Sequence, residues 1–339
     1  SVPRARFDDT ITARAHAASA TSPRPSEAAG VVLTPLAREE TADAIGYPYV
    51  TATLDRAARR VDITVSGPTE APPPDPATQG VDYWPLAVTR ALDDLILRLR
   101  TNEPDLGTWV LRTHGGHDAV LAYDAQLADL AGDWFVNEVT HYYKRTLKRL
   151  DVTSRTLVAV VEPGSCFDGL LLELALAADR QYMLEGTYED RDGDNAPATI
   201  SVSPLNDGPL VMSNGLTRLQ SRFWRCDDEL AAVLARSGDA LDSAAADELG
   251  LVTLALDDID FDDELRIVLE ERASLSPDAL TGMEANHRFV GPETVESKIF
   301  GRLTAWQNWI FLRPNASGED GALRRYGSGQ RAAFDVKRV

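Results

Sequence analysis

The stretch from residue 157 to residue 180 carries the residues best able to do chemistry. It reads as a buried strand, then Pro163-Gly164, then a short loop that turns at Gly169 into an apolar helix. A strand, a glycine turn and a helix N-terminus can together present backbone N–H groups to an oxygen on which negative charge develops. The same pattern is also typical of a tight packing turn, and both interpretations stay open.

Glu173, in the first turn of that helix, is the candidate proton carrier. A general base at this position needs a pKa tuned by burial and a water molecule within hydrogen-bond reach. The alternative is a carboxylate that stabilises the start of the helix through the dipole and backbone donors. Cys166 lies close to the same helix N-terminus, which could activate a thiol, but a small buried thiol explains it equally well.

Two other groups of polar residues could suggest a metal. His114 and His117 are close in sequence, but no third or fourth ligand follows at a useful spacing, so the pattern favours a polar loop. The acidic run from 257 to 264, DDIDFDDE, lacks the glycine turn of a calcium loop and predicts a solvated loop that leads into a helix. We therefore expect no metal site.

These candidates must be positioned by alternating strands and helices. Apolar strands that alternate with helices predict an α/β fold in which helices cover the faces of a sheet. The predicted strands are 49–54 and 61–65, which form a hairpin, and 108–113, 156–161, 181–184, 199–202 and 251–254. The predicted helices are 5–19, 84–99, 119–150, 168–178, 213–222, 227–236 and 242–249, followed by a mostly helical region to 339.

Composition limits the function classes. A formal net charge of −19 opposes binding to nucleic acids and to anionic membrane surfaces. The most apolar stretch, Leu170 to Ala178, is short and carries Glu173, so it predicts a buried helix and no membrane span. Two cysteines are too few for a disulfide scaffold and favour a reducing cytoplasm.

The chain divides into three predicted parts. Residues 1–30 read as the last helix of a preceding domain plus a linker, SATSPRPSEAAG, because the chain starts at Ser1 without a methionine. Residues 31–256 form the α/β core, and residues 257–339 form a helical region for interdomain or subunit packing. Trp306 and Trp309 suit such a contact, although core packing is the equal alternative.

The helix after Gly169 resembles the signature of the crotonase (enoyl-CoA hydratase) family, in which a glycine-rich turn leads into E-L-A-x-x-x-D. Here Glu173, Leu174, Ala175 and Asp179 match. The resemblance implies a crotonase-like spiral of strand–strand–helix turns with a helical C-terminal extension. It also implies that Glu173 is catalytic and that the Leu170 N–H is one oxyanion donor. The second donor aligns loosely, with Asp124 as the nearest match.

Longer segments, including GMEAN to RPNA, are similar to the second half of one family member that carries two crotonase-like halves. That enzyme opens the ring of epoxidised benzoyl-CoA with water and releases formate. The resemblance implies an aromatic coenzyme A thioester as substrate, with coenzyme A as its carrier, and an absent N-terminal half as partner. We also expect a homo-oligomer, because an interface meant for another half leaves an apolar patch exposed. We expect no metal, flavin or nicotinamide cofactor, because G-x-G-x-x-G and the P-loop are absent and water addition needs no redox cofactor. Arg56 and Arg60, with Arg59, could bind the phosphates of coenzyme A, although a solvated hairpin turn explains them as well.

Two departures bear on catalysis. Leu170-Leu171-Leu172 follow the single glycine, Gly169, where the family has a glycine run, and Pro204 stands where the second acid is expected. A proline can neither take nor give a proton. We therefore expect a half that is mainly structural, with a self-contained crotonase-type enzyme as the alternative. Glu162 or Asp168 could replace the acid that Pro204 lacks.

Overall fold

The computed structural model describes residues 2–23, 30–189 and 196–338. The chain forms two compact units, Ser1–Leu33 and Thr34–Val339. The first unit holds a 3-10 helix, Arg4–Arg6, and helix α1, Phe7–Ala20, which confirms the short helix predicted over 5–19. No residue of α1 is buried. The predicted linker lies partly outside the described residues.

The second unit is built on an eight-stranded sheet with the strand order β1-β2-β3-β4-β5-β6-β8-β10. Strands β1 to β4 pair antiparallel, and β4, β5, β6, β8 and β10 run parallel. Strands β7 and β9 form a separate parallel pair. The strands are β1 Glu39–Glu40, β2 Ala44–Gly46, β3 Val50–Asp55, β4 Arg60–Ser66, β5 Thr108–His114, β6 Thr156–Val161, β7 Phe167–Asp168, β8 Arg180–Leu184, β9 Ile200–Ser201 and β10 Leu254–Leu256.

The burial of each strand depends on whether one or both faces of the sheet are covered. In β3 and β4 every second side chain is buried, which confirms the predicted hairpin with one covered face. All six residues of β6 are buried because helices cover both faces of the parallel part of the sheet. The last predicted strand is displaced, since β10 spans Leu254–Leu256 instead of 251–254.

The helices of the second unit are α2 Pro76–Gln79, α3 Trp84–Asn102, α4 His117–Asp129, α5 Trp134–Asp151, α6 Gly169–Ala177, α7 Arg218–Arg222, α8 Asp227–Leu234, α9 Ser243–Glu248, α10 Phe261–Ser274, α11 Pro277–Arg288, α12 Thr304–Phe311, α13 Pro314–Ser317 and α14 Ala322–Arg325. Gly80–Asp82 and Pro204–Asp207 are 3-10 helices, and Ser297–Leu303 is a π-helix that runs into α12. Within the described residues, no helix is both long and apolar enough to cross a membrane.

The single helix predicted over 119–150 is wrong, because the structure has two helices there. Helix α4 ends at Asp129, and α5 begins at Trp134 after a turn. The Asp133 side chain caps α5 by accepting hydrogen bonds from the N–H groups of Phe135 (2.8 Å) and Val136 (3.0 Å).

The core has two layers around the sheet. On one face, α3, α5 and α6 enclose side chains such as Ile63, Leu111 and Leu174. On the other face, α10 packs Phe261 against Val158 and neighbouring strand residues. The predicted helical C-terminal region is confirmed in α10 to α14, and the tail returns to the sheet, where buried Arg338 donates to Thr156 Oγ1 at 2.8 Å.

Candidate functional site

The candidate site lies at the carboxyl ends of the parallel strands, the edge at which open α/β sheets bind ligands. Three connections meet there, after β4, β5 and β6. The Gly67 N–H donates to the His114 carbonyl at 2.8 Å, and the Gly115 N–H donates to the Gly164 carbonyl at 3.1 Å. These backbone bonds hold the three turns together beside the N-terminus of α6.

The turn into α6 brings Gly169, Leu170 and Asp124 together. The Leu170 N–H donates to Asp124 Oδ1 at 2.8 Å, deep in the protein. Gly169 has a φ of +44°, and a Cβ added to it would lie 2.4 Å from Asp124 Oδ2. The Leu170 N–H, which we predicted to donate to an oxyanion, therefore donates to the Asp124 carboxyl instead. The same carboxyl leaves no space for a Cβ at position 169, so this position requires glycine.

Asp124 does not have the geometry that we predicted for it. It lies within α4, where a backbone N–H donates to the carbonyl four residues earlier, so its N–H is not free for an oxyanion. Its side chain takes part in the turn instead. Burial raises the pKa of the Asp124 carboxyl to about 7, although hydrogen bonds from Ser203 and from the Leu170 N–H act against this rise.

Glu173 is fully buried and held by two partners. Arg218 Nη1 donates to its Oε2 at 2.8 Å, and Asn206 Nδ2 donates to its Oε1 at 2.8 Å. Arg218 Nη2 also donates to both oxygens of Asp151, at 2.8 and 2.7 Å. Burial raises the pKa of Glu173, and the Arg218 guanidinium acts against that rise. The carboxylate of the predicted base thus belongs to a buried ion-pair cluster.

Arg218 and Asn206 are the residues that sequence reasoning missed. Asn206 lies two positions after Pro204, inside the segment in which the second acid was sought. Pro204 starts the 3-10 helix, and Asn206 Oδ1 accepts from the Ser203 N–H at 2.8 Å in a capping box. The segment therefore supplies an amide to Glu173. The only sequence signal that could have identified Asn206 was its position two residues after Pro204.

Cys166 and His117 lie in different surroundings. Cys166 is buried, and burial raises the pKa of its thiol to about 12, which confirms the buried-thiol interpretation. His117 Nδ1 lies 2.9 Å from Asp168 Oδ1, and this hydrogen bond raises the pKa of His117. Over 2–23, 30–189 and 196–338, no three His, Cys, Asp or Glu side chains come together as a metal site requires.

Arg56 and Arg60 are not brought to this edge. They flank the β3–β4 turn, and β4 then runs for seven residues, about 23 Å, to the carboxyl edge. Arg56 donates to the Ala42 carbonyl at 2.7 Å and pairs with Asp43 and Glu103. Arg60 Nε donates to Asp62 Oδ2 at 2.8 Å. Phosphate binding by these arginines stays a prediction, with its site far from the α6 turn.

Comparison with known proteins gives both a relative and a fold. No protein-family model matches the chain. The chain is 50% identical, over its whole length, to benzoyl-CoA-dihydrodiol lyase from Aromatoleum evansii and spans 60% of that protein. This confirms the resemblance that the sequence indicates.

Solved structures show the crotonase fold. An enoyl-CoA hydratase from Geobacillus kaustophilus HTA426 matches 87% of this chain and all of its own, at 14% identity and a TM-score of 0.60. An enoyl-CoA hydratase/carnitine racemase from Magnetospirillum magneticum matches 86% of this chain and 97% of its own, at 14% identity and a TM-score of 0.60. The predicted fold is confirmed.

Proposed function

Because the chain has the crotonase fold and is half identical to benzoyl-CoA-dihydrodiol lyase along its whole length, we propose that it is the mainly structural crotonase-type part of such an enzyme. The complete enzyme acts on a coenzyme A thioester: it opens the epoxidised benzoyl-CoA ring with water and releases formate. The acids that handle the water proton belong to the part of the protein that this chain does not span.

The observation that supports a structural role is the state of the turn before α6. Crotonase-type chemistry needs an N–H donor for an oxyanion and a carboxylate that can move a proton. Here the Leu170 N–H is taken by Asp124, and Glu173 is held by Arg218 and Asn206. Moreover, an oxyanion at Leu170 would have to displace the Asp124 carboxyl from this N–H, and an ionised Asp124 would repel it.

One observation favours the alternative, a self-contained enzyme acting on an acyl-CoA. Because the pKa of Asp124 is raised to about 7, its carboxyl is partly neutral near that pH. A neutral acid would release the Leu170 N–H to a substrate oxygen more readily than a carboxylate would. In that case Glu173 would be the base, and its ion pair with Arg218 would be a resting state.

Glu173→Gln separates the two functions in the protein that carries this chain. The assay follows formate released from epoxidised benzoyl-CoA per folded molecule, together with thermal unfolding. A structural Glu173 gives an unchanged kcat and a lower Tm. A catalytic Glu173 gives a kcat lower by about 100-fold or more, the usual contribution of a general base.

Glu271→Gln is the matched control, because Glu271 is an exposed residue in the last turn of α10. It should change neither kcat nor Tm. If the unsubstituted protein releases no formate from epoxidised benzoyl-CoA, the proposed reaction is wrong, whatever the variants do.

A further inference from the structure

A cavity lies at the end of α6 that is opposite to the Gly169 turn. It has a volume of about 480 Å³ and is bounded by the end of α6, by α7 and by α11. Helix α6 has nine residues, so about 13 Å separates this cavity from the Gly169 turn. The volume falls in the range of small-molecule sites, which is roughly 300–1,000 Å³.

The acidic residues that line this cavity are already paired. Asp151 pairs with Arg218 at 2.7 Å, Asp179 pairs with Arg288 at 2.7 Å, and Glu284 pairs with Arg338 at 3.3 Å. Their charges are therefore compensated within the protein, and they leave other cations of the lining without an acidic partner.

The arginines among them are Arg222 and Arg272, and His287 also belongs to the lining. Arg222 is exposed, and among the described residues it donates only to neutral acceptors, the Gly250 carbonyl at 2.7 Å and Gln181 Oε1 at 3.2 Å. The side chain of Arg272 makes no hydrogen bond or ion pair with any described residue. Carboxylates are abundant in a protein with a net charge of −19. Two arginines without a carboxylate partner in one cavity therefore indicate that the cavity can bind an anion from outside the protein.

The negative end of α6 does not account for these arginines. Gln181 Nε2 donates to the carbonyls of Ala175 at 2.8 Å and Ala178 at 2.9 Å. The amide thus satisfies one carbonyl in the last turn of the helix and the carbonyl of the residue that follows it. The rest of the lining includes flat or flexible apolar side chains, among them Trp224, Met212 and Met283.

We propose that this cavity binds an organic phosphate, with the phosphate at Arg222 and Arg272 and the remainder of the ligand against Trp224 and the methionines. Arginine suits this ligand because its planar guanidinium donates two parallel hydrogen bonds to phosphate oxygens. The nucleotide end of coenzyme A and a free nucleotide share this chemistry. The site is separate from the turn before α6, so the inference does not depend on how that turn functions.

Calorimetric titration of the full chain tests the site with adenosine 3′,5′-bisphosphate, coenzyme A and adenosine. Micromolar binding of the bisphosphate and none of adenosine is expected. Tighter binding of coenzyme A than of the bisphosphate would identify coenzyme A as the ligand of this cavity. Equal or weaker binding of coenzyme A would identify a free nucleotide as the ligand. Arg272→Gln should weaken binding at least about tenfold, as the loss of a charged hydrogen bond does.

The double variant Arg324→Gln/Arg331→Gln is the control for net charge, because both arginines are exposed and far along the chain in the tail. It should bind like the unsubstituted chain. Arg272→Gln removes no internal hydrogen bond, so its fold should persist, and thermal unfolding verifies this. The proposal fails if the bisphosphate does not bind, or if Arg272→Gln and the double control variant weaken binding equally. Formate release is measured separately, so failure here leaves the proposed reaction untouched.

Discussion

One carboxylate determines the chemistry of the turn before α6. Asp124 accepts the Leu170 N–H and fills the space beside Gly169. A glycine at this turn would ordinarily suggest close approach of a ligand, but here a neighbouring side chain requires it. Keeping an acid at this buried position has an energetic cost, because charge is disfavoured away from water.

This cost predicts how stability depends on pH. Burial raises the pKa of Asp124 to about 7, from a usual 3.8. Between these values the folded protein keeps a proton that the unfolded chain has released, so this group makes stability fall as pH rises. The Asn side chain of Asp124→Asn cannot titrate. The substitution should therefore remove a loss in the free energy of unfolding on the order of 2–4 kcal/mol over this pH range.

Urea unfolding at several pH values between about 4 and about 8 measures the effect as the difference between the protein and Asp124→Asn. Asp129→Asn, an exposed position at the end of the same helix, is the control and should leave the pH profile parallel to that of the unsubstituted protein. Parallel profiles for Asp124→Asn as well would show that Asp124 does not hold the proton.

At the level of elements, local sequence patterns predicted strands and helices well, but they could not predict long-range contacts. The β3–β4 hairpin, β6 and α6 follow from alternation and from apolar runs bounded by glycine or polar residues. The break at Asp133 was missed because one capping side chain interrupts an otherwise continuous helical pattern. The site was only half predictable, because Arg218 lies 45 residues from Glu173 and no local periodicity links them.

The cluster around Arg218 joins three helices, since Asp151 ends α5, Glu173 lies in α6 and Arg218 begins α7. Arg218→Met should lower the free energy of unfolding by about 3–5 kcal/mol, because it leaves two buried carboxylates without a cation. Glu173→Gln should cost less, about 1–2 kcal/mol, because Arg218 keeps its two bonds to Asp151.

Urea unfolding ranks the two variants. The control is Arg236→Met, which breaks an exposed pair with Asp239 and should cost at most about 1 kcal/mol. Equal costs for Arg218→Met and Glu173→Gln would mean that the guanidinium does not serve both carboxylates.

At the scale of the whole molecule, the C-terminal helical region carries an exposed apolar surface, defined here as Val295, Ile299, Phe300, Leu303, Phe311 and Leu312. Phe300 is 70% exposed and Leu312 is 84% exposed. The π-helix and α12 bury no residue, and Trp306 and Trp309 pack against each other edge to face at 5.5 Å. Exposed apolar side chains in this number along one segment of the chain favour association over hydration.

The chain should therefore associate reversibly as its concentration rises, and sedimentation velocity over a concentration series measures this. Its net charge of −19 opposes association, so added salt should strengthen it by screening the repulsion. Phe300→Ser/Leu303→Ser should shift the chain toward monomer. The control pair Ile259→Ser/Ile267→Ser removes two other exposed apolar side chains outside this surface and should leave the equilibrium unchanged. A monomer at every concentration and salt level, or an equal shift by the control pair, would show that this surface does not drive association.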